Sequence, residues 1–299
     1  MPIHLPPLTR RAFLRTSIFA GTALALGDRR LSAAETAPDP HTWALLSDVH
    51  INADPLKEDR GVVMTENLKA VVKEILALSK RPAHMFIDGD CAHHSGELAD
   101  YTQFLSLIEP ARKSGMPIDL TLGNHDHREH FISSIPGAGK HPHPVENRYV
   151  SVLQTARANW FMLDSLDQVN MSPGLFGRAQ LDWLAKQLDA NKDKPAIICG
   201  HHTLYGKGSL QDTDAFLALL APRRQVKAYI FGHSHAWAFA EHEGIHLINL
   251  PAVAYVFSKE QPNGWVHATL LESGLRLQLS ALDKTHPAHG QVKEFAWRS

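Results

Sequence analysis

Five short apolar runs in this chain end in clusters of metal-friendly donors, and no other feature constrains the fold as much. After "WALLS" come Asp48 and His50. After "HMFI" come Asp88, Gly89 and Asp90, and after "IDLTLG" come Asn124, His125 and Asp126. His201 and His202 follow "PAIICG", and His233 and His235 follow "VKAYIFG". A short apolar run bounded by turn residues reads as a buried strand. Between the runs lie amphipathic stretches. "MTENLKAVVKEILALSK" carries Leu68, Val71, Val72, Ile75 and Leu76 at helical spacing, with Thr65 as the expected N-cap. "ELADYTQFLSLIEPARKSG", "RAQLDWLAKQLDAN" and "DAFLALLA" read as three more helices. Strands alternating with helices, then the strand-rich "IHLINLP", "WVHATLLE" and "LRLQLSALD", predict an α/β fold. Ligands of open α/β sheets gather at the carboxyl ends of the strands, so the five clusters are expected to share one site.

Taken singly, a "SDVH" or a "GHSH" is more often a turn than a ligand pair. Five in order, each at a strand end, are not explained that way. Asp48/His50 and His233/His235 are spaced i, i+2, which in extended chain points both members to one side. The donors are carboxylate, imidazole and amide, a set that suits Zn, Fe, Mn or related ions. Cys91 and Cys199 each lie at or beside the end of an apolar run, and buried free thiols are expected there rather than a bridge.

The N-terminus reads as a leader. Arg10 and Arg11 precede Phe13 and Leu14, then an apolar run from about Ser17 to Leu26, then the small residues Ser32, Ala33 and Ala34. The run is too short for a mature membrane span. A charged start, a short apolar middle and small residues match a cleavable signal, and the paired arginines resemble the twin-arginine (Tat) pattern. Residues 1–34 are therefore expected to be removed by the Tat export route. A linker over 35–41 and one domain over 42–299 follow, in the periplasm or otherwise outside the cytoplasm. Removing 1–34 takes away five Arg and one Asp and turns the formal net charge from −1 to −5. That acidity speaks against nucleic acid as the main partner. "GAGKHPHPVEN" reads as a surface loop.

Asp48-Val-His50, Gly89-Asp90, Gly123-Asn124-His125-Asp126, Gly200-His201-His202 and Gly232-His233-Ser-His235 resemble the five blocks of the calcineurin-like metallophosphoesterases, in order and spacing. The resemblance implies a four-layer α/β/β/α sandwich and a centre of two divalent or trivalent metal ions (Mn, Fe, Zn or Co). It implies Asp48, His50 and His235 on one metal, Asn124, His201 and His233 on the other, and Asp90 bridging. It implies His125 as a catalytic histidine outside the ligand set, oriented by Asp126. His93 stands where the purple acid phosphatases of this family place a metal-binding Tyr, so that branch is not expected.

"GDCAHHSGELADYTQF" and "GNHDHR" look more like the class III cyclic-nucleotide and glycerophosphodiester phosphodiesterases. Arg128 would then contact the substrate phosphate, and His202 would line the pocket. Asp88 would be structural. The expected activity is hydrolysis of a small-molecule phosphodiester, by hydroxide attack with a histidine assisting the leaving group. A phosphomonoesterase is the alternative within enzymes, and a nuclease is disfavoured by charge. A metal-binding scaffold without turnover is the alternative outside them. Strands near "NLPAVAYVF" are an expected interface if the chain self-associates.

Overall fold

The computed structural model describes residues 3–8, 38–135 and 143–299. Two sheets lie face to face. The first has seven strands, in the order β1 (Ile3–Leu5), β6 (Ile118–Thr121), β5 (His84–Asp88), β2 (Thr42–Ser47), β13 (Gly264–Leu270), β14 (Gly274–Ala281) and β15 (Val292–Ala296). The second has six: β11 (Ala238–His242), β12 (Ile245–Asn249), β10 (Val226–Phe231), β9 (Ala196–Cys199), β8 (Asn159–Met162) and β7 (Ser151–Gln154). A small hairpin, β3 (Glu58–Asp59) and β4 (Val62–Val63), precedes the first long helix. In each sheet the central strands run parallel, β2 with β5 and β6, and β8 with β9 and β10.

Strand alternation assigns the layers. Ala44 and Leu46 of β2 face a core shared with α1 (Met64–Ala77), α2 (Leu98–Lys113) and α3 (Arg128–Ser134). Trp43 and Leu45, one residue out of phase, face the second sheet, where the Trp43 and Trp160 rings lie 4.3 Å apart. Phe161 and Ile198 of the second sheet turn the other way, onto α4 (Arg178–Ala190) and α5 (Thr213–Leu220). Helix, sheet, sheet, helix is the α/β/β/α sandwich that the family resemblance implies.

Some local expectations change. The N-cap of α1 is Val63, with no side-chain bond, and Thr65 is buried inside the first turn. The sequence places β1 inside the expected leader, yet it pairs antiparallel with β6, and His4 Nδ1 lies 2.9 Å from the buried Asp119 carboxylate. Expecting residues 1–34 to lie outside the domain therefore leaves out one strand. Residues 1, 2 and 9–34 of that leader, including Arg10 and Arg11, lie outside the described residues, as do residues 137–142 of the surface loop. The segment expected as an interface is interior. Leu250 to Tyr255 are buried, held by bonds from Val253 N–H to the Ser47 carbonyl and from Ala254 N–H to that of Asp48. Cys91 and Cys199 are buried free thiols. No helix among the described residues is long and apolar enough to cross a membrane.

Candidate metal centre

The carboxyl ends of β2, β5, β6, β9 and β10 meet on one rim of the sandwich. Two of the turns need glycine. A Cβ on Gly89 (φ +65°) would lie 2.6 Å from both the Gly123 nitrogen and the His201 ring, and one on Gly232 would run into Ser47 Oγ. These close approaches bring the two sheets' loops together. His233 N–H donates to Asp48 Oδ2 at 3.1 Å, and His201 Nδ1–H donates to the Asp88 carbonyl at 2.9 Å.

The backbone carries strain here. Nine non-glycine residues have positive φ among those described, and five of them are Asp48, His50, Asp90, His233 and His235. Left-handed conformations of such residues cost free energy and persist where the surroundings over-determine them. The i, i+2 pairs therefore do not converge by lying in extended strand, as their spacing suggests. They converge because both members of each pair sit in left-handed turns.

The nitrogens and oxygens crowd together. His50 Nε2 lies 3.1 Å from His235 Nε2, His235 Nε2 lies 3.3 Å from Asp48 Oδ1, and His201 Nε2 lies 3.2 Å from Asp90 Oδ2. His233 Nδ1 is 2.9 Å from Asn124 Oδ1. His201 and His235 each donate the Nδ1 proton to a carbonyl, of Asp88 and of Tyr255, which turns Nε2 inward. Burial alone would raise both carboxyls. Instead, His235 and His201 hold Asp48, and His201 and His125 hold Asp90, below the ordinary carboxylate range. Burial lowers His50 to about 3 and His233 to about 4. Two carboxylates and four imidazole rings converging at these separations in one buried cluster form a donor set that fits a metal. Three groups have that geometry: Asp48, His50 and His235; Asp90, His201 and His233; and His50, Asp90 and His125. Asp90 belongs to two of them.

His125 borders an open cleft of about 460 Å³ above this cluster. Its orienting partner is the His94 carbonyl, 2.8 Å from Nδ1. Asp126, expected to play that part, faces the other way. Its fully buried carboxylate accepts from the backbone N–H groups of Cys91, Ala92 and Gly123 and from the Tyr101 hydroxyl, tying the loops after β5 and β6 together. Burial pushes its pKa up to about 6. Asp88 is likewise buried, accepts from Thr121 Oγ1 at 2.6 Å, and is raised to about 7 by burial, in keeping with a structural part.

Arg128 is held away from the cleft. Its guanidinium makes a two-pronged bond to the buried Asp164, at 2.8 and 2.9 Å, and lines a separate cavity with Arg148 and Tyr149. It is not placed to meet a phosphate at the cluster. His202 is fully buried beneath His233, with Nδ1 2.7 Å from Ser165 Oγ, and so supports the wall rather than lining it. What the strand-end pattern misses is the rim: Tyr205, Lys207, Tyr255 and Phe257 line the cleft from loops that carry no motif.

A model of the calcineurin-like phosphoesterase family matches residues 42–237. A probable cyclic nucleotide phosphodiesterase of Synechococcus sp. is 29% identical over 231 residues, which cover 74% of this chain and 84% of that protein. The 3′,5′-cyclic adenosine monophosphate phosphodiesterase CpdA of Haemophilus influenzae is 26% identical over 227 residues, 72% of this chain and 77% of the other. Among solved structures, a dimetal phosphatase from Danio rerio superposes with a TM-score of 0.68 at 16% identity, covering 87% of this chain and all of that one.

Proposed function

The chain belongs to the calcineurin-like phosphoesterase family and is a metal-dependent phosphoester hydrolase, and from that premise we propose that it is an exported phosphodiesterase that cleaves a cyclic nucleotide or a similar small diester with two metal ions. The observation that supports the two-metal reading is the place of Asp90 between the two ligand sets, its Oδ2 3.6 Å from His50 Nε2 on one side and 3.2 Å from His201 Nε2 on the other, which suits a bridging carboxylate. Asp48, His50 and His235 hold one ion in this reading, and Asn124, His201 and His233 hold the other.

Cations held by this set supply Lewis-acid charge to the phosphoryl oxygens and acidify a water towards neutrality. The chain's own residues do the rest. Asp48 and Asp90 stay ionised as acceptors. The His94 carbonyl fixes the His125 ring through Nδ1–H and leaves Nε2 to the cleft, so that the imidazolium form can pass its Nε2 proton to the departing ester oxygen and become the neutral ring. The Asp126 brace keeps the Asn124 and Asp90 turns in register. The relatives named as cyclic nucleotide phosphodiesterases support a diester over a monoester as substrate.

The test is kcat/KM for 3′,5′-cyclic AMP and for p-nitrophenyl phosphate on metal-loaded protein, with Asp90→Ala as the blank. A strong preference for the cyclic diester is expected. A preference for the monoester would make the chain a phosphatase, and bound metal with no hydrolysis of either would make it a scaffold.

A further inference from the structure

The catalytic cleft shares a wall with a second, apolar pocket. Thr203, Tyr205 and Ser234 border both. Beyond them lies about 240 Å³ of space floored by Phe231 and Leu247 and edged by Ala240. Tyr205 stands in that shared wall with 60% of its surface exposed. Ser234 Oγ donates to Asn249 Oδ1, which leaves its lone pairs open to an incoming N–H. The exposed ring and the apolar hollow beside it together form one surface that a flat ligand would cover.

We propose that this pocket takes the base of a nucleoside arm on the substrate while the phosphodiester lies at the metal cluster, with Tyr205 as the stacking residue that selects for it. This rests on the phosphodiesterase reading above. The argument for a base is the combination of features. The pocket adjoins the cleft through Thr203, Tyr205 and Ser234. It is lined mainly by phenyl, tyrosyl and alkyl groups, with the hydroxyls of Thr203 and Ser234 and the Asn249 amide at its edge, and carries no charged side chain. Such a lining suits a flat, weakly polar heterocycle. A glycerol or choline arm would gain little there, since polar or charged groups are not stabilised by apolar walls. The rim on the opposite side cannot offer the same service. The Phe257 ring is stacked on His235 at 4.3 Å, and the Arg60 guanidinium lies 5.0 Å from its centroid.

Two substrates isolate the arm. Thymidine 5′-p-nitrophenyl phosphate and methyl p-nitrophenyl phosphate release the same nitrophenolate, so the ratio of their kcat/KM values reports the remaining arm. The unmodified protein should prefer the thymidine ester by about tenfold or more, the scale of one base-aromatic stacking contact. Tyr205→Ala should bring the ratio down by about tenfold, chiefly through KM, and Tyr205→Phe should restore it. Ala240→Trp, at an exposed position on edge strand β11, should lower the ratio by filling the pocket. Hydrolysis of both esters at a ratio near one, or a ratio untouched by Tyr205→Ala and Ala240→Trp, would overturn this assignment and leave the phosphodiesterase reading standing. Hydrolysis of neither, with metal in place, would overturn both.

Discussion

His125 is aimed by the carbonyl of His94, 2.8 Å from its Nδ1, and not by its sequence neighbour Asp126. The two adjacent residues therefore do separable work. His125 lines the cleft and, in the proposed mechanism, bears on turnover. Asp126 is fully buried and bears on the integrity of two loops. Replacing His125 by Ala should cost about 10²–10⁴ in kcat, the usual contribution of a positioned acid or base. Metal content and melting temperature should stay near those of the parent. Unchanged turnover in a well-folded, metal-loaded variant would remove His125 from the mechanism.

Asp126→Ala should show the reverse balance. Three backbone N–H groups and the Tyr101 hydroxyl lose their acceptor in a site without water access. Loss of charge-assisted bonds and exposure of unmet donors predict a destabilisation of roughly 3 kcal/mol or more. Denaturant unfolding measures it. Tyr101→Phe removes one of the four donors and should cost a fraction of that.

Arg128→Gln tests whether this side chain meets substrate. With the guanidinium bound to Asp164, KM for the diester should barely move. Stability should fall by about 1.5–3 kcal/mol, the range for a hydrogen bond to a charged group, because Asp164 keeps only its backbone donors and the more distant Arg148. A large rise in KM with stability intact would return Arg128 to the substrate site.

The His4 pair predicts a pH-dependent strand. The hydrogen bond to Asp119 raises the His4 pKa above its ordinary value, against a partial loss to burial. A group whose folded pKa is raised binds its proton more tightly in the folded state. Its stabilisation is therefore complete below the unfolded value of about 6.5 and fades as pH climbs through the folded pKa. The melting temperature of the full chain should exceed that of His4→Ala at about pH 5.5, and the gap should narrow by about pH 8.5. A gap that widens with rising pH would contradict the pairing.

Export predicts two outcomes. Arg10→Lys combined with Arg11→Lys should hold the protein in the cytoplasm, seen by cell fractionation. The parent should yield a shorter exported form that begins near residue 35. Such processing also removes β1, so β6 becomes an edge strand and Asp119 loses its imidazole partner. An exported form that still carries residues 3–8 would place β1 in the working domain.

The sequence by itself determined the buried elements and the donor inventory. Burial in a strand or helix is written in periodicities of two and about 3.6, which are local. Hence β2 as a buried apolar strand and the apolar face of α1 are legible in the chain, whereas the layer that Trp43 or Ala44 faces is not, because β2 is buried on both faces. The strand-end clusters are legible for the same reason, because each is contiguous in the chain. Only the tertiary structure decided what each donor does. His125 finds a carbonyl 31 residues away, Arg128 a carboxylate 36 residues away, and His4 one 115 residues away. The paired ligands converge through left-handed turns that residue spacing does not encode, and the aromatic rim comes from loops without any repeat. Short-range patterns report which side of an element is buried. Which polar group answers which other depends on how two twisted sheets bring distant loops together, and that is a property of the packed molecule.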